Sequence, residues 1–388
     1  MSWSERRVAE MADLVNGFPF DSSSFCSDGE IPLVRIRDIL SESFETFVEA
    51  EVVPESVVIR NGDVVIGMDG DFNVIHWVRG SAALNQRLCL LRDNGSSDMR
   101  FLAYALPAHL KVINDLTYAT TVKHLSSGQV RAIRMQAPGE GEQRAIADYL
   151  DRETARIDAL IEEQQRLIEM LRERRAAVLW STFELSPSTV STKVGRLLAA
   201  RPSYGVLVPK YVDEEEGVPL VRVGDIMNLS PDRPMQAISP DQSDEYSRTK
   251  IVGGEVLLGV VGKMGQATLA PPWLTGANVA RAVAVLRCKE GSITPLLCAW
   301  LGSDHFLRQA RKATSGDSIQ PTLGMKDLAG FDINLPTDSD ASAKLASQLD
   351  KIDTLIVETD RFIELSRERR AALITAAVTG QIDVREAA

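Results

Sequence analysis

The chain has 388 residues, 44% hydrophobic and 25% charged, a length that favours two modules over one and a composition ordinary for globular proteins. Its formal net charge of −11 argues against a nonspecific nucleic-acid coat, although a local basic groove remains compatible because acidic residues crowd segments such as Asp213–Glu216. No stretch reaches the ~18 apolar residues of a membrane span, and no apolar signal core follows the start, so a soluble cytoplasmic protein is expected.

Read in order, the chain is written twice. Ile31-Pro-Leu-Val-Arg-Ile-Arg-Asp-Ile39 matches Val218-Pro-Leu-Val-Arg-Val-Gly-Asp-Ile226, and Gly62-Asp-Val-Val-Ile-Gly67 matches Gly254-Glu-Val-Leu-Leu-Gly259. The segment from Asn85 to Arg92 answers that from Asn278 to Arg287. These short runs, rich in Val, Ile and Leu and bounded by Gly, Pro or Asp, read as strands. Helices are expected near Phe101 to Leu116 and Pro295 to Thr314, followed by last strands ending at Pro138 and Pro336.

A long helix follows each module. Arg166 to Leu179 reappears as Arg361 to Ile374, an offset of 195 (361 − 166). Apolar residues at Ile157, Ile161, Ile168, Leu171 and Val178, and at Ile352, Ile356, Ile363 and Leu373, recur in steps of three and four, the seam of a coiled coil. A helix of ~42 residues spans ~60 Å, longer than an ordinary domain, so antiparallel pairing of the two rods is expected. The division follows: a first module over 1–141, a central helix over 142–185, a second module over 186–340 opening on a flexible linker at 186–192, and a C-terminal helix over 341–388. The fold class is α+β, two tandem mixed modules with a pseudo-twofold repeat.

Catalytic parts are missing. Gly262-Lys-Met264 lacks the hydroxyl and the spacing of a phosphate loop, and Ala270-Pro-Pro-Trp273 carries Ala where an adenine methyltransferase needs a polar residue. The four histidines (His76, His109, His124, His305) are scattered, and Cys26, Cys89, Cys288 and Cys298 show neither metal spacing nor a disulfide framework. Asp69-Gly-Asp71 reads as a tight turn before it reads as a carboxylate pair. The chain is expected to be non-catalytic and to hold no metal.

The duplicated Ile-Asp-x-Leu-Ile…Glu-Arg-Arg-Ala-Ala, the segment Ala377–Asp383, the run Glu142–Asp151, and Met68–Asn73 with Leu84–Arg87 together resemble the DNA specificity (S) subunits of type I restriction-modification systems, over essentially the whole chain. The second copy departs from the pattern where Ala343–Gln348 replaces the Glu-Gln run. The resemblance implies two target recognition domains, each reading half of a bipartite, asymmetric site in double-stranded DNA. It also implies that the helices set the spacer and dock two methyltransferase subunits, with restriction-translocase subunits added for cleavage. S-adenosylmethionine, ATP and Mg are then expected only on those partners. A structural adaptor carrying two protein-binding modules is the other reading left open.

Direct readout of bases needs Arg or Lys for guanine and Asn or Gln for adenine. In the first module the candidates are Asp69, Asp71, Asn73, Asn85, Gln86, Arg87, Lys123, His124 and Ser126. In the second they are Tyr204, Lys263, Gln266, Asn278, Arg281, Arg308, Arg311, Lys312, Gln320 and Thr322. Asn85 and Asn278, taken as a matched pair, also fit structural roles, and Arg87 and Arg281 fit either phosphate contacts or internal ion pairs. Arg172–Arg175 and Arg367–Arg370 fit helix-face salt bridges or a partner-facing stripe.

Overall fold

The computed structural model describes residues 3–41, 43–116, 123–186, 188–314, 321–337 and 339–384. The chain divides into two compact units, Met1–Glu163 with Phe362–Ala388, and Gln164–Arg361. Each unit therefore takes a module, part of its own long helix and part of the other.

In the first unit one antiparallel sheet orders Asp13–Asn16, Leu88–Arg92, Val64–Gly67 and Val74–His76. Its central strands are apolar from Val64 to Ile66 and from Leu88 to Leu91, and alternate side chains serve two cores. Val64, Ile66, Cys89 and Leu91 face a cluster built with Phe101, Leu102, Leu106 and Leu110 of the helix Met99–Leu116. Val65, Leu88 and Leu90 face a second cluster with Leu33, Ile59 and Trp77. A strand buried on both faces loses the polar–apolar alternation of a half-exposed one, which explains the continuous apolar runs in the sequence. The other sheet orders Phe47–Val48, Ile31–Val34, Ala82–Leu84 and Val58–Ile59, with Ile31–Val34 and Ala82–Leu84 parallel.

The second unit repeats this plan. Ser203–Tyr204, Val283–Leu286, Val256–Gly259 and Ala267–Leu269 form the antiparallel sheet. Val256 and Leu258 face one core and Leu257 the other. The helical segment expected here is broken at Gly302 into Thr294–Leu301 and Asp304–Thr314.

The stretch expected to be a flexible linker is largely a strand. Thr189–Lys193 pairs along its length with Asp332–Pro336, as Ser4–Arg7 pairs with Arg134–Ala137 in the first unit. The next residue in each case donates its backbone N–H to the other chain segment, Val8 to Ile133 O and Val194 to Phe331 O, both at 3.0 Å. Three β-branched residues, Thr189, Val190 and Thr192, favour the extended backbone more than the flanking serines favour disorder. The segment is the second copy of the N-terminal strand.

Long helices span Glu140–Trp180 and Ser339–Val378. Within the first unit Ile146 and Leu150 share a core with Ala377, Val378 and Val384, while Asp158 pairs with Arg370 at 2.9 Å. Within the second, Leu179 and Phe183 share a core with Leu345 and Leu349, while Arg175 pairs with Asp353 at 2.8 Å. Both sets run antiparallel. The two ion pairs are one pair written twice with partners exchanged, since Asp158 answers Asp353 and Arg175 answers Arg370 at the repeat offset. Exposed as they are, each contributes less than ~1 kcal/mol and chiefly marks register. The seam is the inward stripe as expected: Ile168, Leu171, Ile352 and Ile363 are buried, and Ile157, Ile161, Val178, Ile356 and Leu373 half-buried. Buried Thr154, Thr359 and Ser366 interrupt it, each hydroxyl donating to the carbonyl four residues back.

Candidate nucleic-acid interface

Three segments far apart in sequence meet at one end of the antiparallel sheet in each unit, joined by the same set of backbone hydrogen bonds. In the first unit Met68 N donates to Arg87 O at 3.0 Å, Leu125 N to Met68 O at 2.7 Å, and Gly70 N to Lys123 O at 3.1 Å. In the second, Val260 N donates to Ala282 O at 2.9 Å, Leu323 N to Val260 O at 2.9 Å, and Gly262 N to Pro321 O at 3.1 Å. A matched turn closes each site, with Gly70 at φ +73° and Gly262 at φ +81°, a left-handed backbone open to glycine at little cost. In the first unit the turn continues to Phe72, which holds φ +53° as a non-glycine residue. Burial of its ring, 1% exposed, offsets the ~1–2 kcal/mol that conformation costs an L-residue.

This framework brings together four of the candidates of the first unit. The Asp69 carboxylate accepts from His124 Nδ1 at 2.7 Å and lies 3.4 Å from Arg87 Nη1. Lys123 Nζ donates to Asn114 Oδ1 at 2.7 Å, and Asn114 in turn donates to Gly70 O, so Lys123 props the turn. Asp71 and Gln86 are exposed and Asn73 half-buried. Ser126 caps the helix Ser127–Ala132 in a reciprocal box with Gln129, a role in the fold. In the second unit Lys263, Arg281 and Thr322 are exposed on the framework, and Gln266 is half-buried beside it.

Other candidates are corrected by their surroundings. Asn278 is fully buried, bonded to Thr249 Oγ1 at 2.7 Å and Ser243 O at 3.1 Å, and cannot touch DNA. It does not match Asn85 either. Parallel bridges Phe18 to Asn85 and Val206 to Ala280 put Asn85 opposite Ala280, so that Arg281 matches Gln86 and not Arg87. Asn85 is itself 9% exposed, its carbonyl accepting from Gln86 N at 2.6 Å. Tyr204 spends its hydroxyl on Leu323 O at 2.9 Å, and Arg308 is ion-paired with Glu184. Arg311 and Lys312 are exposed in the last turn of Asp304–Thr314, while Gln320 lies outside the described residues.

Two features went unnoticed in the sequence. A buried carboxylate–guanidinium pair sits in each module: Asp63 with Arg92 at 2.7 Å, and Glu255 with Arg287 at 3.2 Å. The signal was present as Gly-Asp/Glu at the head of one strand and Arg at the end of its neighbour in the sheet, in both copies. The helices also expose apolar side chains at duplicated places, Leu160 with Leu355 and Met170 with Leu365, each between 39% and 58% exposed.

No chemistry of bond-making is assembled at these places. Among the described residues no three His, Cys, Asp or Glu side chains are grouped to hold a metal. Burial pushes the thiols of Cys89 and Cys298 up to about 12, which makes them poor nucleophiles. A cleft of about 660 Å³ in the first unit is walled by Val74, Ile75, Pro107 and Ile374, and its charges are mutually satisfied, Arg100 by Asp148 and Asp151 and Lys111 by Asp115. No described helix is long and apolar enough to cross a membrane.

A family model, the type I restriction modification DNA specificity domain, matches residues 1–170. The specificity subunit of the type I restriction enzyme EcoBI from Escherichia coli is 31% identical over 366 residues, covering 87% of this chain and 76% of that protein. Among solved structures, one described as the structural basis of complex assembly and conformational transition of the type I R-M system aligns over 98% of both chains at TM-score 0.70 and 17% identity. The S subunit of M. genitalium aligns over 97% of this chain and 96% of its own at TM-score 0.51 and 15% identity.

Proposed function

The chain belongs to the specificity subunits of type I restriction-modification systems, non-catalytic proteins of DNA recognition, and from that premise we propose how its two units divide the work. Each unit reads one half of a bipartite, asymmetric site in double-stranded DNA. The observation that carries this reading is the duplicated backbone framework, which presents Asp69, Arg87 and His124 in one unit and Val261, Ala282 and Thr322 at the matching places in the other. Equal scaffolds with unequal side chains are what two readers of different sequences require. The paired helices fix the spacer, and at ~1.5 Å per residue a helix of 41 residues is long against a ~34 Å DNA turn.

Two modification subunits bind the helices, through the outward side chains and not through the buried seam. Leu160 and Leu365 expose apolar surface in the first unit, and Leu355 and Met170 in the second, one docking patch per unit. The double variant L160E/L355E is expected to lower the affinity for the modification subunit at least tenfold, read by titration of purified subunits. Unchanged binding would move the docking surface elsewhere. S-adenosylmethionine, ATP and Mg belong to the modification and restriction subunits, and the complex acts on DNA in the cytoplasm.

Mapping adenine methylation across the host genome, with the gene present and deleted, tests the whole reading. One bipartite motif is expected to vanish on deletion. Affinity of the assembled complex for that motif should fall linearly in log–log form with salt, by about 0.9 per phosphate contact. A protein-binding adaptor would show neither effect.

A further inference from the structure

We propose that Arg87 reads a guanine in the half-site of the first unit, and that Asp69 is the positioning residue that holds its guanidinium for the task. The inference rests on the half-site reading above and names the base. An exposed arginine ordinarily samples many rotamers, and ordering it on DNA costs entropy at the moment of binding. Here the backbone is fixed first, Arg87 O by Met68 N and Asp69 by its bridge to His124. The Asp69 side chain, only 19% exposed, then engages Arg87 through Nη1 at 3.4 Å, while 59% of the arginine side chain stays open. A guanidinium held at one corner keeps further donors on its planar fork. Guanine alone offers two adjacent acceptors, O6 and N7, in the major groove, whereas adenine pairs an acceptor with a donor.

His124 completes the arrangement. Its Nδ1 faces a carboxylate, which only accepts, so Nδ1 carries the proton and donates. Asp69 is thus shared between two exposed side chains, and its own charge is spent inside the protein instead of repelling phosphate. In the second unit Ala282 stands where Arg87 does and Val261 where Asp69 does, so this device serves one half-site only.

The test uses the whole complex with its modification subunits. Methylation is mapped in cells carrying R87A, R87Q or D69A, and purified complexes are titrated with duplexes bearing each base at every position of the first half-site. R87A is expected to lose discrimination at one guanine by roughly 5- to 150-fold, leaving the other half-site unchanged. R87Q should shift that position towards adenine, the base glutamine pairs with in two places. D69A should weaken the same preference by a smaller factor, with its melting temperature unchanged. Uniform weakening of all duplexes by R87A would make Arg87 a phosphate contact and overturn the proposal. A wild-type motif whose preferences survive both R87A and R87Q would overturn it while leaving the half-site reading intact. A wild-type complex with no bipartite motif would remove that reading and this one together.

Discussion

Asp63→Ala is expected to destabilise the first unit by about 3–5 kcal/mol, although Asp63 touches no candidate DNA surface. Its carboxylate, 5% exposed, takes two hydrogen bonds from Arg92, at 2.7 and 3.0 Å, and a third from the Arg60 backbone N–H at 2.8 Å. Those bonds hold the Arg92 guanidinium firmly charged, above its ordinary range, and Arg92 also donates to Val58 O at 2.7 Å. Alanine would strand a cation at 24% exposure without its hydrogen-bonded carboxylate, and the cost is that of the stranded partner more than of the lost bond. Denaturant unfolding monitored by circular dichroism measures it. The control is the double variant D63L/R92M, expected to recover much of the loss because the buried charge is gone with its partner. If the double variant were as unstable as the sum of its parts, desolvated charge would not be the cause.

Trp300→Ala is expected to cost the second unit about 3–5 kcal/mol. The indole is fully buried, edge-on to Phe306 with centroids 5.2 Å apart, and Phe306 stacks in turn against Phe331 at 6.0 Å. Its Nε1 donates to His305 Nδ1 at 2.9 Å, an acceptor available only while that ring is neutral. Burial lowers the His305 pKa, which favours the neutral ring. Removing the indole leaves a cavity in the core that Val256, Leu258, Ala284 and Leu286 of the antiparallel sheet share. Hydrogen exchange is the sensitive measurement, since amides of those strands should lose protection. A change below ~1 kcal/mol would mean the site collapses around alanine, contrary to the close packing of three rings.

Much of this was legible because the chain repeats itself. Duplicated motifs gave the two modules and the rods, and steps of three and four found the seam. What the sequence hid has two physical causes. Loop lengths differ between the copies, so matching Asn85 to Asn278 by letter shifted the register by two. Only the parallel bridges, which seat Ala83 beside Leu33 and Asn278 beside Leu220, reveal that one asparagine begins the turn after its strand and the other lies two positions earlier, within the strand. The strand at Thr189 was hidden because its partner lies beyond residue 330, and pairing across that distance leaves no local signal among serines and threonines. The candidate site was half legible: Asp69, Arg87 and His124 could be named, but their convergence depends on backbone bonds that composition does not encode. The internal partners of Arg308 and Tyr204 were hidden because a polar side chain near a loop looks the same whether its partner is DNA or Glu184.

The backbone bonds of each candidate interface join peptide groups, and peptide groups keep their donors and acceptors under every substitution but proline. Side chains at Asp69, Arg87 and Thr322 can therefore be exchanged without dismantling the turn that displays them, while Phe72 and Gly70 cannot. In the proposed reading, stability and choice of target lie in separate parts of the same few segments. A lineage under pressure to mark its DNA differently can drift through new recognition sequences by changing rim residues one at a time, and each intermediate still folds.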